Sequence, residues 1–130
     1  MLGIFVNCAN YPYAALIAAG IKTIETRTRN TLKALDGQRV AIIETGRGPA
    51  KIVGYATISG YSFCNSYFYE MLRDETKIPV GDKYDKFGSR DGIPGKWFYY
   101  LENAEQCDSY ELPEDGTIRH GRSWCQFFAP

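Results

Sequence analysis

Hydrophobic and polar positions along the chain follow strand spacing more often than helix spacing. Leu2 to Val6 is a short apolar run suited to a strand, followed by Asn10 as a helix cap. In "YPYAALIAAG" Pro12 suits a first helical turn, Tyr13, Leu16 and Ile17 recur at helical spacing, and Gly20 fits the left-handed position just past the helix end. Three strands are expected next: Thr23 to Thr28, "GQRVAIIET" entered through the Asp36-Gly37 turn, and "AKIVGYATISG". They suit an antiparallel set. "NSYFYEMLRDE" predicts a second helix capped by Asn65 or Ser66, with Phe68, Met71 and Leu72 spaced for burial. Residues 76–96, rich in Gly, Pro, Asp and Lys, read as a long surface insertion. Strands return at "KWFYYLENAEQC", the chain turns through "LPEDGTIRHG", and "RSWCQFF" closes it. The pattern predicts an α+β chain of about six short strands and two or more short helices, folded as a small mixed or barrel-like sheet.

Composition narrows this to one core: 130 residues with 45% hydrophobic content make a single domain over 1–130 the natural expectation. Fifteen basic residues balance fifteen acidic ones, so any function that depends on charge must be local. Cys8, Cys64, Cys107 and Cys125 are scattered without a CxxC pair or a leader peptide, which reads as reduced thiols in a cytoplasmic protein. One histidine and dispersed cysteines give no zinc spacing, and Asp82, Asp85 and Asp91 lack the spacing of a calcium loop. No metal or cofactor is expected. No apolar run approaches the roughly 20 residues of a membrane span.

The charge is concentrated in "GIKTIETRTRN". Alternation along a strand sends Glu25 and Arg27 to one face and Ile24 and Thr26 to the other, with Ile24 on the core side. Lys22 has the wrong parity for the Glu25 face, but it directly follows the Gly20 stop, where a turn can swing its amine back. One reading is a solvated strand face with weak ion pairs. The other is a pocket in which lysine acts as base or nucleophile, the carboxylate relays protons and arginine fixes an anion. Glu44 and Thr45 end the third strand, with Arg47 in the loop that follows, and all three can face the mouth of the same cleft, or form only a polar turn. "TGRGP" is not a phosphate-binding P-loop. Tyr11, Tyr13, Trp97, Tyr99 and Trp124 are candidates to stack on a base, with Trp97 and Tyr99 expected on one face and Phe98 and Tyr100 on the other. His120 reads as a surface residue, with Ser123 and Cys125 close in sequence.

The run "PYAALIAAGIKTIETR", a helix followed by G-x-K-x-x-E-x-R at Gly20, Lys22, Glu25 and Arg27, resembles the signature of the ASCH domain (activating signal cointegrator homology). This family is related to the PUA-like RNA-binding barrels. The similarity continues through G-x-R-V-A-I at Gly37 to Ile42, I-x-G-x-A at Ile52 to Ala56, and the closing strands. The resemblance implies a small PUA-like β-barrel flanked by helices, with Lys22, Glu25 and Arg27 in a cleft that binds RNA or a nucleoside or nucleotide ligand. Some members are amidohydrolases acting on N4-acetylcytidine through a lysine, a threonine three residues later and a downstream glutamate. Here the lysine is Lys22, the third residue after it is Glu25, and the downstream acid is Glu70 or Glu75 by position. Other members are ribonucleases. The expected function is RNA or nucleotide binding, with Lys22 and Glu25 as the catalytic pair if the protein is a hydrolase. Gly20, Arg27, Glu44, Arg47, Tyr13 and Trp124 would then contact ligand. An exposed aromatic patch near Trp97 would instead suit a protein-interaction adaptor.

Overall fold

The computed structural model describes residues 1–130. The elements are β1 (Leu2–Asn7), α1 (Tyr13–Ala18), β2 (Ile24–Arg27), a 3-10 turn (Lys33–Leu35), β3 (Arg39–Thr45), β4 (Lys51–Asn65), α2 (Ser66–Met71), α3 (Arg73–Thr76), β5 (Gly88–Arg90), β6 (Ile93–Glu111), β7 (Ile118–His120) and β8 (Trp124–Gln126). The fold is mixed α+β, with eight strands in one sheet and three short α-helices. The two strands beyond the expected six are short: β5 lies inside the segment read as an insertion, and β7 lies inside the segment read as a turn.

The sheet runs β2-β6-β4-β3-β1-β8-β7, with β5 on β6. The barrel expected from the sequence is not closed, because β2 and β7 end the path and share no ladder. The antiparallel set is also corrected. β3 and β4 pair as expected, but β2 pairs with β6, placing Glu25 opposite Tyr99 and Arg27 opposite Trp97. The physical reason lies in the connections. β1 and β3 are parallel neighbours, and a parallel pair needs a crossover, which α1 and β2 supply on the way. That crossover carries β2 off to the far edge, where the long β6 offers it a partner.

β3 explains the unbroken apolar run "VAII". Val40 and Ile42 enter the main core with Ile4, Val6, Ile17, Ile24, Ile58 and Phe98, while Ala41 and Ile43 enter a second core with Phe5, Ile52, Leu112 and Phe127. A strand covered on both faces has no polar alternation to show. The four cysteines are free, and no helix is long and apolar enough to cross a membrane.

The expected second helix breaks at Leu72 into α2 and α3, and its buried face differs from the one expected. Tyr69 is fully buried, whereas Phe68 and Met71 are exposed, because the hydroxyl of Tyr69 reaches the Asp85 carboxylate at 2.8 Å and turns the short helix that way. The Asn65 side chain caps α2 by accepting from the Phe68 amide at 3.1 Å. Asn65→Ala is expected to cost about 1 kcal/mol, measured by chemical denaturation.

Candidate functional site

The opening of the sheet is where polar groups gather. β8 pairs with β1 from Leu2 to Ile4 and the Phe5 amide still donates to the Ser123 carbonyl at 3.0 Å, so one edge of β1 is free only beyond that amide. β2 pairs only with β6, so its other edge is free too. The two edges meet across a single side chain: Arg27 Nη2 donates to the Phe5 carbonyl at 2.7 Å. A cavity of about 620 Å³ lies along this seam, bounded by Phe5, Val6 and Asn7 of β1, by Lys22 and residues 25–28 around β2, and by Ile78, Lys83, Tyr84 and Lys86. Because the cavity sees β2 at its edge, Thr26 lines it along with Glu25 and Arg27, despite the opposite parity.

Local structure delivers Lys22 inward. Gly20 takes φ +74 after α1, and the amides of Ile21 and Lys22 both donate to the Leu16 carbonyl at 3.0 Å, which closes the helix and reverses the chain. Lys22 is thereby 1% exposed, donates to the Thr76 carbonyl and stands 3.6 Å from Glu25 Oε1. Glu25 also accepts from Arg27 at 3.2 Å and from the Thr26 amide at 3.0 Å, so its carboxylate satisfies an edge amide that no strand covers. Burial pushes the Glu25 carboxyl up, but Arg27, Lys22 and the Thr26 amide together outweigh burial and hold it below the usual glutamate value. Burial pushes the Lys22 amine down, with Glu25 opposing.

Residues 76–96 form one wall of this cavity. Thr76, Ile78 and Lys96 are buried, while Val80, Lys83 and Lys86 are exposed. The segment is clasped at two points. Tyr13 Oη donates to Asp82 at 2.8 Å, and Asp85 accepts from Tyr69 at 2.8 Å, Arg73 at 3.1 Å and the Gly81 amide at 2.8 Å. Gly88 permits the last close approach, since a Cβ there would run into the Thr28 carbonyl. Lys96, at the start of β6, is 2% exposed and donates to the Tyr84 carbonyl at 2.7 Å. Its amine is lowered to about 8, chiefly by burial.

No protein-family model matches the chain, and no curated protein does. Solved structures are similar to it. The ASCH protein from Zymomonas mobilis superposes with a TM-score of 0.72 at 18% identity, over 98% of this chain and 87% of that one. Crystal structures of a serine-to-alanine mutant and a tyrosine-to-phenylalanine mutant of that protein give TM-scores of 0.71 at 17% identity, covering 98% of this chain and 88% and 90% of theirs. The chain has the ASCH fold.

Within this ASCH fold, Lys22, Glu25, Arg27 and Tyr13 meet at the cavity, but the other candidate ligand contacts do not line it. Gly20 acts on the backbone and is exposed. Glu44 and Arg47 lie at and beyond the end of β3, where only Thr45 reaches the cavity. Trp124 is packed against the main core and stacks on His120, ring centres 3.8 Å apart and 9° from parallel. Glu70 of α2 pairs with Arg73 of α3. Trp97 and Tyr100 are half-buried and Phe98 and Tyr99 are buried, so the expected split of "WFYY" into one core face and one free face does not occur. No group of three or more His, Cys, Asp or Glu side chains is placed to hold a metal.

The residues missed from sequence are cationic. Lys83, Lys86, Lys96, Arg119 and Arg122 join Lys22 and Arg27, making seven basic side chains around the cavity against one acid, Glu25. The lysine density of the 76–96 segment was the available signal, and Lys96 beside the aromatic run was another. Arg119 and Arg122 come from the other end of the chain, and their guanidinium groups reach the site only through the pairing of β7 and β8.

Proposed function

We propose that the cavity binds RNA or a nucleotide ligand. The observation that carries this is the charge of the lining, seven basic side chains and one carboxylate in a chain whose formal net charge is zero. The carboxylate is already shared by Lys22 and Arg27, so the site as a whole attracts anions. Its parts divide the work by depth. Lys83, Lys86, Arg119 and Arg122 are exposed and suit mobile phosphate contacts, while Lys22, Lys96 and Arg27 lie deeper in a space of the size that holds one nucleotide-like unit. The rings of Tyr13 and Tyr84, edge to face with centres 6.0 Å apart, give the same space an apolar surface.

The test is a titration of a labelled short single-stranded RNA at several salt concentrations. Affinity is expected to fall steeply with salt. Lys86→Ala and Arg122→Ala are each expected to weaken binding and to reduce the slope of log K against log salt by about 0.7, the value for one phosphate contact on a single strand. Both side chains are exposed, so melting should not change. Affinity independent of salt, or unaltered in both variants, would remove the proposal.

A further inference from the structure

Lys96 is a buried ammonium without a carboxylate partner. A lysine has three N–H donors, and Lys96 spends one of them on the Tyr84 carbonyl. The ion pairs near the cavity belong to others: Glu25 pairs with Lys22 and Arg27, and Asp85 pairs with Arg73. The Tyr69 ring, 5.6 Å from the amine, offers only a weak cation–π contact. A buried cation with unspent donors is costly to a fold and is kept only where something repays it. Lys96 lines the cavity, so the anion that completes its coordination can come from solution.

We propose that Lys96 anchors the ligand's phosphate, and that the cavity selects a nucleotide end bearing a phosphomonoester rather than an internal stretch of strand. This rests on the nucleotide reading above and sharpens it. A terminal phosphate carries up to two charges and has three free oxygens, which suits an ammonium with two unspent donors flanked by Lys22 and Arg27. An internal phosphodiester carries one charge and must bring both flanking nucleotides to the buried end of the cavity. The exposed basic residues of the rim then hold the next phosphates of a chain, or remain unused by a free nucleotide.

The protonation of Lys96 makes the anchor sensitive to pH. The groups that face it are Lys22, Glu25 and Arg27 from the β2 region, Tyr84 and Asp85 from the wall segment, Tyr69 from α2, and Cys64 opposite on β4. With its amine lowered to about 8, Lys96 is mostly charged at neutral pH, and phosphate affinity is expected to decline as pH rises past that point.

The experiment compares adenosine with its 5′-monophosphate, and a short RNA with and without a terminal phosphate, by calorimetry and thermal shift on the parent and on Lys96→Met. In the parent, the phosphorylated member of each pair is expected to bind at least tenfold tighter and to raise the melting temperature. A preference shown by the monophosphate alone assigns a free nucleotide, and one shared by the RNA pair assigns a strand end. Lys96→Met replaces an unpaired buried charge with an apolar side chain of similar length. It is expected to melt at or above the parent, to lose the tenfold preference and the decline past pH 8, and to keep rim-dependent binding of unphosphorylated RNA. Equal binding within each pair, an intact preference in Lys96→Met, or a Lys96→Met melting point several degrees below the parent would overturn the inference and leave the nucleotide reading standing. Absence of binding by all four probes would overturn both.

Discussion

Glu25→Ala is expected to destabilise the protein by about 3–5 kcal/mol, the usual cost of removing one partner from a buried ion pair. Glu25 is 7% exposed and its carboxylate meets Lys22, Arg27 and the Thr26 amide, so its loss leaves two cations without their counter-charge and an edge N–H without its acceptor. At this chain length the loss corresponds to a fall in melting temperature on the order of 10–20 °C. The pH dependence follows from the direction of the shift. The folded carboxyl lies below its ordinary value of 4.5, so its contribution is complete above that value and is lost as pH falls through the lower folded value. Glu25→Gln, which keeps the shape, should remove that acid-side loss from the parent's stability profile. Denaturation curves between pH 3 and pH 7 check both statements, and a Glu25→Ala variant within 1 kcal/mol of the parent would contradict the assigned pairing.

Gly54→Val is expected to cost about 3 kcal/mol or more, at the upper end of overpacking effects. Gly54 lies on β4 where α1 packs against the sheet, and a Cβ there would run into the Glu105 carbonyl and come within 2.7 Å of the Ala18 Cβ. The carbonyl belongs to a paired strand and cannot swing away as a side-chain tip can. The β4–β6 register already shifts between Ile52 and Gly54, so the ladder has no further slack at this point. Chemical denaturation reads the loss directly. A variant as stable as the parent would show that α1 can lift off the sheet without penalty.

The parts of this molecule that were legible in the sequence are those set by neighbours along the chain. The Gly20 stop, the turn that follows it and the local grouping of Lys22, Glu25 and Arg27 depend on eight consecutive residues, and periodicity reads such distances well. The apolar run of β3 was visible as a strand, although its burial on both faces was not stated by any alternation. What escaped depended on partners far away in sequence. β2 could be recognised as a strand, but not as the partner of Trp97 to Tyr100. The wall of the cavity escaped for a different reason: residues 76–96 look like a solvated loop because their polar side chains serve as clasps. Asp82 and Asp85 spend their oxygens on Tyr13, Tyr69 and Arg73, and the backbone carbonyls of Thr76 and Tyr84 receive the two buried lysines. A composition that signals hydration can equally signal a polar interior, and only the fold distinguishes the two.

The cationic lining of the seam has a consequence for how a ligand arrives. From Glu102 to Asp115 the chain carries six acidic residues and no basic one, so the neutral total of the protein conceals an acidic stretch along the later part of β6 and the turn after it, beside a basic cavity. A basic lining focuses its field at the cavity mouth, which would favour the approach of the proposed anionic ligand at that place. Zero net charge weakens indiscriminate adhesion to nucleic acid, while the local basic lining leaves the cavity as the place where an anion would be drawn in.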